Sequence, residues 1–242
     1  SSYTKQNHSL HFVPISILGS SILASFDTAT SNTIINLTGK IPQSPFTSPF
    51  EEDNGRNLGL FITDVESETF KISNKIIYTT ASSNNTIGLD LMHKLGRIEI
   101  NDYGVKLKSE SYRCTSNCMT HDLHYENNKW YIILDIGTKK LKMVLDTGSN
   151  ISTLKDKPNS KTCLNKEVYL KINSETNSTQ NEICKYKIEK KIDNFFMVKK
   201  ELYSGYDGSL GMNFFNEFEN SIFDFKDKKL QLTFRPTTHK EL

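Results

Sequence analysis

Two aspartates, each followed by small hydroxyl-bearing residues, are the side chains of this 242-residue chain best placed to do chemistry. Asp146 closes the apolar run Met143-Val144-Leu145 and is followed by Thr147-Gly148-Ser149, while Asp27 closes Ile22-Leu23-Ala24-Ser25-Phe26 and is followed by Thr28-Ala29-Thr30. A short apolar run that stops at a turn-forming tripeptide reads as a buried strand delivering its carboxylate at the end of a rigid element. Gly148 lets the backbone turn sharply and approach whatever the acid works on, and the hydroxyls of Thr147 and Ser149 can bond the loop or the carboxylate. Taken singly, each aspartate reads as a turn residue capping its loop. Brought together, two carboxyls cannot both ionise cheaply, so the pair holds one proton over a wide pH range. The ionised member can then take a proton from a water while the protonated member donates to a carbonyl oxygen.

The elements that must position these acids occur twice. Phe12 to Gly19 and then Ile22 to Phe26 lead into Asp27; Trp130 to Gly137 and then Leu141 to Leu145 lead into Asp146. Downstream, Ile87-Gly88-Leu89-Asp90-Leu91-Met92 and Gly96 to Ile100 echo Leu210-Gly211-Met212-Asn213-Phe214-Phe215 and Ser221 to Phe225. Two agreements in the same order indicate an internal repeat.

Asp-Thr-Gly-Ser after an apolar strand resembles the active-site loop of the aspartic proteases, pepsins and retropepsins alike, and the second motif Asp207-Gly208-Ser209-Leu210-Gly211 is similar to theirs. The resemblance covers nearly the whole chain apart from the connector and termini. It implies an all-β, two-lobed acid-protease fold with pseudo-twofold symmetry: a retropepsin-like lobe over residues 1–107, a connector over 108–129 and a second such lobe over 130–242. It further implies an aspartic endopeptidase that hydrolyses extended polypeptides with a water held between Asp27 and Asp146. Thr28 and Thr147 would lock the loops across the axis. Thr30 and Ser149 would donate to the outer carboxylate oxygens, which favours ionisation and acidic operation. Ala29 departs from the pattern, since the family carries glycine there. Its methyl motivates a rival reading as a non-catalytic peptide-binding or inhibitor-like protein; a homodimer built on the second lobe alone is another.

The resemblance implies no metal or organic cofactor, and the chain is expected to work as a monomer on a polypeptide partner. Its 30 basic and 28 acidic side chains are interspersed, which speaks against nucleic acid, and no apolar run approaches a membrane span. The chain begins at Ser1 with no signal-peptide pattern, as expected if a segment has been removed or truncated. Cys163 and Cys184 would close a loop of about 20 residues, and such a disulfide favours an exported protein. Cys114 and Cys118 leave three options open: a disulfide, free thiols, or a zinc site with His121 and His124.

Between Thr38 and Arg56, Pro42, Pro45 and Pro49 exclude a helix or central strand. By resemblance a substrate-covering flap falls within residues 40–62, with Asn54-Gly55 as a hairpin tip. A second flap-like hairpin is expected around a polar tip at 173–181, a helical turn at Leu89 to Lys94, and polar ends over 1–11 and 233–242. Trp130 is assigned to the core or a lobe interface.

Overall fold

The computed structural model describes residues 10–36, 48–53, 56–79, 85–156, 162–172 and 175–236. The first half runs β1 (Phe12–Ile17), β2 (Ser20–Phe26), β3 (Ile34–Ile35), β4 (Ser48–Asp53), β5 (Arg56–Glu66), β6 (Lys71–Thr79), β7 (Thr86–Ile87), α1 (Leu89–Leu95), β8 (Arg97–Asn101) and β9 (Gly104–Leu107). Two further strands follow, β10 (Cys118–Asp122) and β11 (His124–Glu126). The second half then runs β12 (Lys129–Asp135), β13 (Lys140–Leu145), β14 (Thr153–Leu154), β15 (Cys163–Ile172), β16 (Glu175–Ile188), β17 (Ile192–Lys199), β18 (Gly208–Leu210), α2 (Met212–Phe215), β19 (Phe218–Asp224) and β20 (Lys229–Phe234).

The two halves share one topology. In the first sheet the strand order is β1-β2-β7-β3-β6-β5-β4; in the second it is β12-β13-β18-β14-β17-β16-β15, with β11 added beside β12. Substituting each strand by its counterpart eleven places on converts one order into the other. A third sheet, β10-β20-β19-β8-β9, joins the halves through the antiparallel pair β8–β19, where Ile98 faces Phe223. The pseudo-twofold axis therefore passes between β8 and β19.

Burial follows from this layering. β1 alternates exposed and buried residues along its length, as a strand with one wet face must, whereas β2 and β13 each end in three consecutive buried residues. Those ends lie beside the parallel partners β7 and β18 and are covered on both faces, so alternation gives way to a continuous buried run. One apolar cluster, including Phe26, Met143, Phe214, Phe223 and Leu232, spans both halves; a smaller one (Ile151, Val168, Leu170, Ile183, Val198) lies under β15 and β16.

Several local expectations are revised. Residues 108–129 carry no apolar period, yet β10 pairs with β20 and β11 with β12, because a strand added at a sheet edge is held by backbone hydrogen bonds and needs no buried face. The polar segment expected to form a broad tip at 173–181 is mostly strand: β16 begins at Glu175, and Ile172 faces Glu175 across the hairpin. Residues 173 and 174, the tip at Asn54-Gly55, and residues 1–9 and 237–242 lie outside the described residues, and Thr233 and Phe234, assigned to the tail, belong to β20. The helical turn extends one residue, to Leu95, where Gly96 ends it by donating its N–H to the Met92 carbonyl. Trp130 is buried against His93, Tyr125 and Phe225.

Both cysteine pairs are disulfides, Cys114–Cys118 and Cys163–Cys184. The histidines of the possible zinc set are engaged elsewhere: His121 meets Glu189 at 2.9 Å and His124 stacks on Tyr131. Among the described residues, no helix is long and apolar enough to cross a membrane.

Candidate active site

Each acid loop hangs from the same strut. The N–H of Asp27 donates to the Ile87 carbonyl at 3.1 Å, and the N–H of Asp146 to the Leu210 carbonyl at 2.9 Å, so β7 and β18 fix where the strands stop. One turn on, Leu89 N–H bonds the Thr30 carbonyl and Met212 N–H the Ser149 carbonyl, both at 2.8 Å. Gly88 and Gly211 pass beneath the loops so closely that a Cβ at either would lie 2.8 Å from the same carbonyl, of Thr30 or Ser149 respectively. Glycine is required there by space and not by dihedral angle.

The struts are tightened by equivalent side chains. Asp90 Oδ1 accepts from Thr33 N–H and Oγ1 at 3.0 and 2.7 Å, while Asn213 Oδ1 accepts from Ser152 N–H and Oγ at 2.8 and 2.6 Å. Those hydroxyls in turn accept from the N–H of Gly88 at 3.1 Å and of Gly211 at 2.9 Å. The remaining atoms differ. Asp90 Oδ2 forms an ion pair with Lys75 at 3.0 Å, whereas the Asn213 amide donates to the Phe196 carbonyl at 3.0 Å.

The two loops are bolted across the axis by Thr28 and Thr147. Thr28 Oγ1 donates to the Leu145 carbonyl and accepts the N–H of Thr147; Thr147 Oγ1 donates to the Phe26 carbonyl and accepts the N–H of Thr28. All four bonds lie between 2.8 and 3.0 Å and are buried. Four buried, reciprocal bonds leave neither loop free to slide.

This lock brings the Asp27 and Asp146 carboxyls within hydrogen-bond reach of each other, each only 1% exposed. Asp27 leans over Gly148: a Cβ on that glycine would come within 2.6 Å of all three atoms of the Asp27 carboxyl group. Gly148 thus serves less to turn the chain than to leave room for the opposite acid. Ala29, at the equivalent place in the first loop, is buried, and its N–H donates to Asp27 Oδ1 at 2.9 Å. Its methyl is accommodated.

The second carboxylate partner departs from expectation. Thr30 Oγ1 donates to Asp27 Oδ2 at 2.7 Å, but Ser149 Oγ donates to the Ile151 carbonyl at 3.0 Å and not to Asp146. Two residues on, the Ile151 carbonyl accepts from the serine, a local side-chain-to-backbone bond of the kind serines form readily. The Asp146 donor is instead Tyr203, whose hydroxyl lies 2.6 Å from Oδ2. Lys129 sits 5.0 Å from the centre of the Tyr203 ring and donates to the Ala29 carbonyl. Nothing in the spacing around Tyr203 or Lys129 marks them, since both come from segments outside the repeated motifs.

Burial is the main cause, and the neighbouring Asp27 charge the second, of an upward displacement of the Asp146 pKa to about 8; Tyr203 and Lys129 oppose it. Burial and the neighbouring charge thus favour a pair that holds one proton between its two carboxyls. Chemically, such a pair offers one general base and one general acid side by side.

No protein-family model matches the chain, and no curated relative does. Among solved structures, the aspartic proteinase from Irpex lacteus superposes with a TM-score of 0.58 at 10% identity, covering 96% of each chain. The basic 7S globulin from soybean superposes with a TM-score of 0.55 at 9% identity, covering 95% of this chain and 94% of that one. At such identity the likeness establishes architecture alone. The chain has the two-lobed pepsin-like fold, one carried both by a protein named as a proteinase and by one named as a globulin.

Proposed function

We propose that the protein is an aspartic endopeptidase that cleaves extended polypeptides with a water activated jointly by Asp27 and Asp146. The observation that carries this reading is the contact between two buried carboxyls, one from each half, where burial and the neighbouring charge push the Asp146 pKa up. In the cycle, the ionised carboxyl takes a proton from water, the water oxygen attacks the scissile carbonyl carbon, and the protonated carboxyl donates to the carbonyl oxygen. The tetrahedral intermediate collapses as the carboxyl that took the water proton gives it to the amide nitrogen, the C–N bond breaks, and the other carboxylate takes a proton from a hydroxyl of the intermediate, which leaves the pair with one proton as at the start. Thr28 and Thr147 hold the geometry, and Ala29, Thr30, Gly148 and Ser149 shape the loops.

Residues 1–107 and 130–242 act as two retropepsin-like lobes joined by 108–129. The hairpins β4–β5 and β15–β16 occupy equivalent places in their sheets and lie over the substrate, pairing with its backbone. One chain supplies both acids, so a monomer suffices. The two disulfides support an exported protein working in an oxidising compartment.

The test is digestion of an unfolded protein between pH 3 and 9 by the wild type, Asp27→Asn and Asp146→Asn. Each substitution is expected to reduce cleavage by about 10³-fold or more, since either removes the acid–base pair. The wild-type rate should fall above about pH 8 as the shared proton is lost. Equal digestion by all three proteins removes this mechanism; peptide binding without digestion by the wild type assigns the peptide-binding alternative.

A further inference from the structure

We propose that Tyr203, held in place by Lys129, is a positioning residue of the acid pair: its hydroxyl orients the Asp146 carboxyl and sets the pH at which the pair gives up its shared proton. The inference rests on the proteolytic reading above and deepens it.

The two carboxyls are hung from matching struts and locked by matching threonines, yet their remaining partners do not match. Asp27 is held within its own loop, by Ala29 N–H and Thr30 Oγ1. Asp146 has lost the corresponding serine to the Ile151 carbonyl and takes its donor from the segment between β17 and β18, through Tyr203 at 2.6 Å. Tyr203 is in turn fixed by Lys129, whose ammonium lies 5.0 Å from the ring centre while it bonds the Ala29 carbonyl of the opposite loop. A chain of contacts thus runs from the first acid loop through Lys129 and Tyr203 to the second acid. It crosses the pseudo-twofold axis once and has no symmetric counterpart at Asp27 among the described residues.

The consequence is a defined protonation asymmetry. The charged or titratable groups acting on Asp146 are Asp27 from the first loop, Lys129 from β12 and Tyr203. Burial and Asp27 favour the protonated acid; Tyr203 and Lys129 favour the carboxylate. Tyr203 itself is driven upward by burial and by both acids, so it remains a donor throughout the working range. Removing the hydroxyl leaves Asp146 with burial and like charge unopposed on that side, and the alkaline limb must move to higher pH.

The experiment compares wild type, Tyr203→Phe and Lys129→Met by two measurements. One is the pH–rate profile for cleavage of an unfolded protein. The other is 13C NMR titration of protein labelled at the aspartate carboxyls, with the Asp146 signal identified by its loss in Asp146→Asn. Tyr203→Phe should raise the alkaline limb and the Asp146 midpoint by about one pH unit, and Lys129→Met should raise both by less. Unshifted midpoints in Tyr203→Phe, or a downward shift, overturn the proposal. A rate that rises at every pH with no shift also overturns it and makes Tyr203 a plug over the acids. If Tyr203→Phe fails to fold, the direction of the Lys129→Met shift decides. The NMR titration stands even if no protein is cleaved, so failure of the proteolytic reading and failure of the Tyr203 role are told apart.

Discussion

The loops carrying Asp27 and Asp146 are suspended by equivalent backbone bonds and locked by the same threonines, yet their side-chain chemistry differs at three other places. Gly148 faces the opposite acid where the first loop has Ala29; Asn213 braces its strut through a carbonyl where Asp90 uses the ammonium of Lys75; Tyr203 reaches in from outside where Thr30 serves from within. Backbone symmetry places two identical groups in contact, and side-chain asymmetry makes them unequal. A shared proton needs both: the first to bring the carboxyls together, the second to decide which one holds it.

The largest effect expected from breaking this comparison lies in the struts. Lys75 is buried, and Lys75→Met would strand the Asp90 carboxylate without its counter-charge. The expected loss of stability is about 3 kcal/mol, because the partly buried Asp90 carboxylate keeps its hydrogen-bond donors but loses its counter-charge. The double variant Lys75→Met/Asp90→Asn converts this strut to the neutral form of the second half and should recover most of the loss. Denaturant titration of the two variants measures it. Equal instability would mean that the two struts are not interchangeable.

Next come the hairpins. Cys163 and Cys184 face each other on β15 and β16, whereas β4 and β5 contain no cysteine. The bridge spans 21 residues of sequence, and replacing both cysteines by serine should cost about 3 kcal/mol through the entropy returned to the unfolded chain. Thermal melting under non-reducing conditions checks this. No change in melting would show that the hairpin holds without its staple.

The acid loops themselves give an effect of similar size, read in rate. Gly148→Ala drives a methyl into the Asp27 carboxyl group, which Ala29 N–H and Thr30 Oγ1 pin from the other side. Displacement of the acid by a fraction of an ångström should reduce cleavage by about 10²-fold. Ala29→Gly, which makes the first loop resemble the second, should change the rate by less than about threefold. Reversed outcomes would show that the first loop, and not the second, sets the spacing of the acids.

Much of this was legible in the sequence because the repeat carries its own register. The Asp-Thr motifs after apolar strands, and Ile87-Gly88 against Leu210-Gly211, mark four points that occupy equivalent places in the two sheets. What stayed hidden has physical causes. β10 and β11 are edge strands held by backbone bonds, which leave no trace in side-chain pattern. Ser149 is the positional counterpart of Thr30, but its hydroxyl has a carbonyl within reach two residues on. Tyr203 and Lys129 act across the fold from positions outside the repeated sequence motifs, so no spacing rule joins them to Asp146. Gly148 stands out in the sequence as a turn residue, but what requires it is the Asp27 carboxyl, far away in the chain.

The smallest expected effect tests the helices that follow the struts. α1 extends three residues beyond the length of α2, and at His93 it carries a ring where the repeat in the second half places Asn216. Trp130 Nε1–H donates to His93 Nε2 at 2.8 Å, which fixes the ring as neutral with its proton on Nδ1. Burial lowers the His93 pKa from its ordinary value, with Asp90 opposing. The unfolded chain therefore binds a proton more readily than the folded one, so stability declines as pH falls through the ordinary histidine range near 6.5 and levels off below the folded value. His93→Gln supplies an acceptor for Trp130 that does not titrate. The melting-temperature difference between wild type and His93→Gln should accordingly narrow, or change sign in favour of the variant, between pH 7.5 and 5. A difference that stays constant with pH would remove His93 from the acid response and leave the longer helix as packing alone.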